Sequence, residues 1–163
     1  MEFRDQEVHT SIVIQAPPEK VWNVLTDFED YPNWNPFIRR VFGKVSIGST
    51  IVELVYIAPG VFMPLPMEIV VLDHARELAW RGAVPHWFAA ISAGEHHFTI
   101  SPIANHNDSC EFAHHALLRG ILMQIGARHI QNDVRFVHEA MNTALKERAE
   151  ALVIPQTRRS KIV

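Results

Sequence analysis

The C-terminal segment 120–152 does most to restrict the fold. It contains no proline and is rich in Ala, Leu, Met, Glu, Gln and Arg, which lose little on entering a helix. At about 100° per residue, Leu122, Ile130, Val134, Val137, Ala140, Met141, Ala144, Leu145 and Leu152 fall on one broad stripe. Gln124, Arg128, Gln131, Arg135, Asn142 and Lys146 lie opposite. A long helix with such a stripe must bury it against another surface.

The rest of the chain supplies that surface as strands. Residues 7–16 alternate and are rich in β-branched side chains. Strand-like runs recur at 38–45, 49–57, 67–73, 76–82, 94–101 and 109–117, with Gly48, Pro59-Gly60 and the stretch 102–108 as breaks. Between the first two runs, Pro18 suits a helix start, and Val21, Val24, Leu25 and Phe28 recur at helical spacing. Pro32 ends that helix, and a second short helix is expected around "YPNWNPFI", with Trp34 packed where the short helices meet the sheet. The outcome is an α+β domain: an antiparallel sheet of about six to seven strands, two short helices after the first strand, and one long C-terminal helix. A curved sheet around one helix can leave a cavity between them.

The 163 residues suit one domain, taken as 1–154, with the polar, basic 155–163 a disordered tail. The net charge of −3 and the lack of a basic cluster in the body argue against nucleic acid as a partner. No apolar run is long enough to span a bilayer, and the charged N-terminus does not read as a secretory leader. Cys110 is the single cysteine, so no intrachain disulfide can form; a reducing, cytoplasmic setting is expected.

Two strands carry histidine doublets, "GEHHFTI" and "FAHHALL". Neighbours on a strand point to opposite faces, so a doublet divides. His96 travels with Phe98 and Ile100, and His114 with Cys110 and Phe112; these sets should face inward. His97 and His115 should face outward, near Glu95 and Glu111. A hairpin turn centred on Asn105 would set Ile100 opposite Cys110, Phe98 opposite Phe112 and His96 opposite His114. The inward pair could then share a proton, a water or a ligand. Two histidines are too few for a zinc or iron site, so no metal is expected.

Asp133 falls within the apolar stripe of the long helix, with His129 one turn before it. If both face the cavity, Asp133 would join His96 and His114 as a catalytic group. If the helix is rotated slightly, Asp133 instead reaches the open end as a solvated acid. Glu53 and Glu68 are assigned to the outer face, though the pattern around them does not choose. Trp80, Phe98, Ile100, Cys110, Phe112, His129, Val137 and Met141 are expected to line the cavity. The segments 57–67 and 82–93 read as apolar loops; their Phe62, Trp87 and Phe88 are expected as cavity walls or lids, or as a homodimer contact. Cys110 has no neighbouring base and does not read as a nucleophile.

Four separated blocks carry a family resemblance. "IQAPPEKVWNVLTDFEDYPNWNPFI" resembles the opening of the SRPBCC superfamily (START and Bet v 1-like), in particular its polyketide cyclase/dehydrase-like branch. "RELAWRG", "GEHHFTI" and "EAMNTALKERAEAL" resemble later blocks in the same order, so the likeness runs from Glu7 to Leu152. It implies the helix-grip fold, with a deep apolar cavity for a hydrophobic small molecule and no obligatory cofactor. It leaves three classes open, because one architecture hosts many functions. These are a carrier of a lipid-, polyketide- or aromatic-like molecule, a cofactor-free cyclase, dehydratase or isomerase, and an interaction module using the apolar loops. Converging polar groups in the cavity would favour the enzyme; a smooth apolar cavity would favour the carrier.

Overall fold

The computed structural model describes residues 6–83, 93–120 and 127–152. The first strand, β1 (Gln6–Ile14), leads into helices α1 (Pro18–Thr26) and α2 (Tyr31–Trp34). Six strands follow: β2 (Ile38–Phe42), β3 (Thr50–Ala58), β4 (Val61–Asp73), β5 (Glu77–Gly82), β6 (Ala93–Ile103) and β7 (His106–Arg119). Helix α3 (Ala127–Ala151) closes the described chain. The sheet order is β1-β7-β6-β5-β4-β3-β2, antiparallel throughout, as a meander from β2 to β7 with β1 added at the far edge. Register breaks in β2–β3, β3–β4, β4–β5 and β6–β7 bend the strands, and the sheet curves around the helices. The expected α+β helix-grip architecture is the one found. Trp87 and Phe88, and the segment 155–163 expected as a tail, lie outside the described residues.

Helix α1 starts at Pro18, whose missing N–H is no loss in a first turn, and buries Val21, Trp22, Val24 and Leu25. These pack with Tyr31, Ile51, Ile69, Leu78, Ile100, Phe112 and Leu145 in a single core between sheet and helices. Trp34 is buried there, its ring 4.9 Å from that of Tyr31. Helix α3 is also tied to the sheet edge. Arg135 donates to the His9 carbonyl at 3.1 Å and Lys146 to the Val13 carbonyl at 2.8 Å, so α3 caps acceptors that edge strand β1 would leave open.

Three expectations change. Segment 57–67 is not a loop but a hairpin, turning at Pro59-Gly60, where Gly60 takes a φ of 75°. Pro64 and Pro66 are tolerated in β4 because β5 pairs only from Met67 onward. The Pro66 carbonyl accepts from Ala83, so its ring nitrogen points away from β3, where no ladder bond is lost. Second, the β6–β7 register is Phe98 with His114 and His96 with Ala116, two residues from the expected one. The turn is a tight one between Ile103 and His106, with Asn105 at φ 64°, and a bulge after Pro102 absorbs the extra residues of β7. An even slip preserves which face each side chain occupies. Third, the buried face of α3 is His138, Met141, Asn142, Leu145 and Ala149, rotated by roughly 80° from the stripe read in the sequence. Asn142, assigned to the polar side, is buried and donates to Thr10 Oγ1 at 2.9 Å.

Candidate functional site

Met141, Leu145 and Ala149 of α3 pack in the core, and its residues 133–141 line a cavity of about 230 Å³ against the sheet. Its apolar wall includes Phe37, Ile38, Val55, Leu65, Trp80, Phe98, Val134, Val137 and Met141. Its polar members are Glu53, His96, His114, His138 and Asp133.

Strand parity delivers two of the histidines. His96 shares a face with Phe98 and Ile100, and His114 with Phe112 and Cys110; the apolar members of both sets are buried. Although the two histidines are diagonal neighbours rather than directly opposed, His96 Nδ1 and His114 Nε2 stand 3.2 Å apart and share a hydrogen bond. His138 arrives from α3. Its ring stacks on that of His114, centroids 3.4 Å apart and planes 13° off parallel, and lies 5.5 Å from that of His96. One ring nitrogen from each of the three can be chosen so that all lie within 4.8 Å of one another. The sequence reading missed His138, and with it the premise that only two histidines converge is corrected. The signal was present: His138, Met141, Asn142, Leu145 and Ala149 follow the i, i+3, i+4, i+7 spacing of a buried helix face.

Glu53 is the second correction. It lies in β3 between Ile51 and Val55, is 4% exposed, and faces the cavity rather than solvent. Glu68 does lie outside, where its carboxylate accepts from Arg81 Nε and Nη2. Asp133 lines the cavity mouth but is exposed, which follows from the rotation of α3. His129 belongs to the same helix, but its side chain lies outside the described residues. Ile100, Cys110 and Phe112 pack in the core below the cavity instead of lining it. Phe62 is 47% exposed beside Tyr56, far up the β3–β4 hairpin, and is no part of the wall.

Burial sets the electrostatics. It pushes the Glu53 carboxyl up to about 8, so this acid holds its proton at neutral pH. It pulls His96 down to about 4 and His138 to about 3, and His114 well below the usual imidazole range, with neighbouring imidazoles adding to the effect at all three. The cavity therefore holds one neutral carboxylic acid and three neutral imidazoles. Burial also pushes the Cys110 thiol up to about 11, which removes it as a nucleophile. Among the described residues, Glu53 Oε1, His114 Nδ1 and both ring nitrogens of His138 are buried without a hydrogen-bond partner. Each such group costs about 1–3 kcal/mol. Their concentration at one place, at a cavity wall, marks a polar floor built for something other than stability.

The outer face is a contrast. His97 Nδ1 meets Glu77 at 2.7 Å and its Nε2 meets Glu95 at 2.8 Å, while His115 lies 3.8 Å from Glu7 rather than beside Glu111.

The sequence matches the family described as "Polyketide cyclase / dehydrase and lipid transport" over residues 5–152. The chain belongs to this family. Solved structures share its fold at low identity. A START superfamily protein from Mycobacterium smegmatis superposes with a TM-score of 0.73 at 19% identity, covering 90% of this chain and 98% of its own. The Zhui aromatase/cyclase from Streptomyces sp. R1128 gives 0.74 at 17% identity, with 93% and 97% covered. A norcoclaurine synthase from Thalictrum flavum gives 0.72 at 13% identity, with 94% and 99% covered. No curated protein sequence matches the chain. Among the described residues no helix is long and apolar enough to cross a membrane.

Proposed function

We propose that the cavity binds a small, mostly apolar molecule carrying a carbonyl group and moves a proton on it, as in an aldol-type cyclisation, a dehydration or an isomerisation. The observation that carries this reading is Glu53: a buried, protonated carboxylic acid facing an apolar cavity whose floor is three neutral imidazoles. Glu53 would donate to the carbonyl oxygen while the His96–His114 pair accepts the proton lost from the adjacent carbon, giving an enol; the carboxylate left at Glu53 would offset the imidazolium charge that burial disfavours. A neutral imidazole both donates and accepts, so the paired rings can pass that proton along. Asp133, at the exposed mouth, fits a role in admitting the ligand better than one at the reacting atoms. Ligand pockets usually span about 300–1,000 Å³, so the part described here suits a compact ligand of one or two rings better than a long acyl chain.

A carrier shares the binding half of this proposal and lacks the chemistry. The family description names both cyclase/dehydrase and lipid-transport members, so the two readings stand on the same fold. Native mass spectrometry of purified protein, followed by extraction and identification of the ligand, gives the compound to assay. Turnover of that compound, or of a small panel of enolisable ketones, is expected to fall as pH rises through about 8, where Glu53 loses its proton. Tight binding with no proton exchange at the carbon beside the carbonyl would replace the enzyme by the carrier.

An interaction role, including a homodimer, draws on one observation: Tyr56, Val61, Phe62 and Met63 expose apolar surface together on the β3–β4 hairpin. Concentration-dependent sedimentation that Phe62→Ser abolishes would support it; a monomer at all concentrations would remove the dimer.

A further inference from the structure

We propose that His96, His114 and His138 form a binding site for one divalent transition-metal ion of the zinc class, open toward the cavity. Three imidazoles from three separate elements, β6, β7 and α3, bring one nitrogen each within a 4.8 Å sphere of mutual distances. A tetrahedral zinc ion with ligands at 2.0–2.1 Å holds neighbouring nitrogens ~3.3 Å apart. The His96–His114 pair already stands at 3.2 Å. His96 is inclined 50° to His114 and 62° to His138, so its plane crosses both.

His138 supplies the second, independent observation. It is 2% exposed and, among the described residues, both of its ring nitrogens are buried without a partner, as is His114 Nδ1. Stacked as they are, His114 and His138 do not aim their lone pairs at one point. Binding one ion therefore requires the His138 ring, which lines the cavity, to turn about its soft terminal torsion. A third imidazole removes the objection that two ligands are too few, and a three-histidine set leaves a fourth position facing the apolar cavity. Imidazole favours zinc, copper, iron and nickel over calcium or magnesium. The inference does not rest on the proposed reaction, since ion binding is measured with no organic ligand and proton transfer is assayed on chelator-treated protein.

The test uses untagged protein, stripped with a chelator and titrated with Co²⁺ and then Zn²⁺. The expected result is one Co²⁺ per chain with the intense visible absorption of a low-coordinate site, displaced by one Zn²⁺. His138→Phe, which preserves the ring volume, should weaken binding at least tenfold, and His97→Ala on the outer face should leave it unchanged. No binding at micromolar ion, or binding that His97→Ala removes and His138→Phe keeps, overturns the proposal. If His138→Phe does not fold, histidine side-chain NMR of the unaltered protein decides. Zinc-induced shifts at the three inner rings support the site, and shifts confined to the outer rings, or none, overturn it.

Discussion

His96 and His97 are adjacent in sequence, and so are His114 and His115, yet the two faces of this hairpin give the same side chain opposite chemistry. Inside, burial keeps His96 at about 4 and His114 well below the imidazole range. Outside, His97 is only partly buried; that desolvation acts against its charged form, but hydrogen bonds to Glu77 and Glu95 outweigh it and raise its pKa. The inner face lowers the pKa of its histidines, and the outer face raises that of His97. A single residue step along a strand makes the difference, because it exchanges an apolar cavity for solvent and carboxylates.

The largest expected effect that tests this contrast is on stability against pH. The three inner histidines have lowered folded pKa values, so below about 6.5 the unfolded chain takes up protons that the folded chain refuses. Their stabilisation is lost as pH falls from about 6.5 through the folded values. Glu53 is raised, so its contribution is full below about 4.5 and lost as pH rises to about 8; His97, also raised, is lost above about 6.5 in the same sense. Between 4.5 and 6.5 three groups oppose one, so stability should climb by a few kcal/mol, peak near pH 6.5 and decline above it. Urea melts across this range check it; a flat profile on the acid side would mean the inner rings are solvated.

Next is turnover. Glu53→Gln and His96→Ala should each lower it about 100-fold or more, the usual span of a lost general acid or base, while His97→Ala and His115→Ala change it less than twofold. Steady-state kinetics on the identified ligand provides the measure. Equal losses on both faces would erase the functional contrast.

A smaller effect concerns stability without chemistry. His138→Leu removes two unpartnered buried nitrogens at modest change in volume. It should leave stability unchanged or raise it by about 1 kcal/mol, measured by chemical denaturation, while ion binding falls. That trade is expected where a polar group is retained for function. The smallest is on the outer face: His97→Ala should cost roughly 0.5 kcal/mol or less and should cost still less in high salt, because its ion pairs are partly solvated.

Much of the fold was legible locally. Strand parity placed His96 and His114 inward and His97 and His115 outward, and this survived a register error because the slip was even. Periodicity found the helix but not its rotation. Val134, Val137 and Ala140 look as apolar as Met141 and Leu145, so two overlapping stripes compete for the sheet and the more apolar one is misleading. That ambiguity hid His138, put Asn142 on the wrong side and left Asp133 open. Glu53 is hidden for a related reason: both faces of β3 read as apolar, so alternation does not choose between cavity and solvent.

The sequence by itself determined the order of elements, the alternation of each strand and the family, because these rest on covalent spacing and short-range preference. Only the tertiary structure decided the register at the bulge, the angle of α3 about its own axis, and hence the meeting of Glu53, His96, His114 and His138. Those depend on how distant surfaces fill space against one another, and no local pattern encodes that fit.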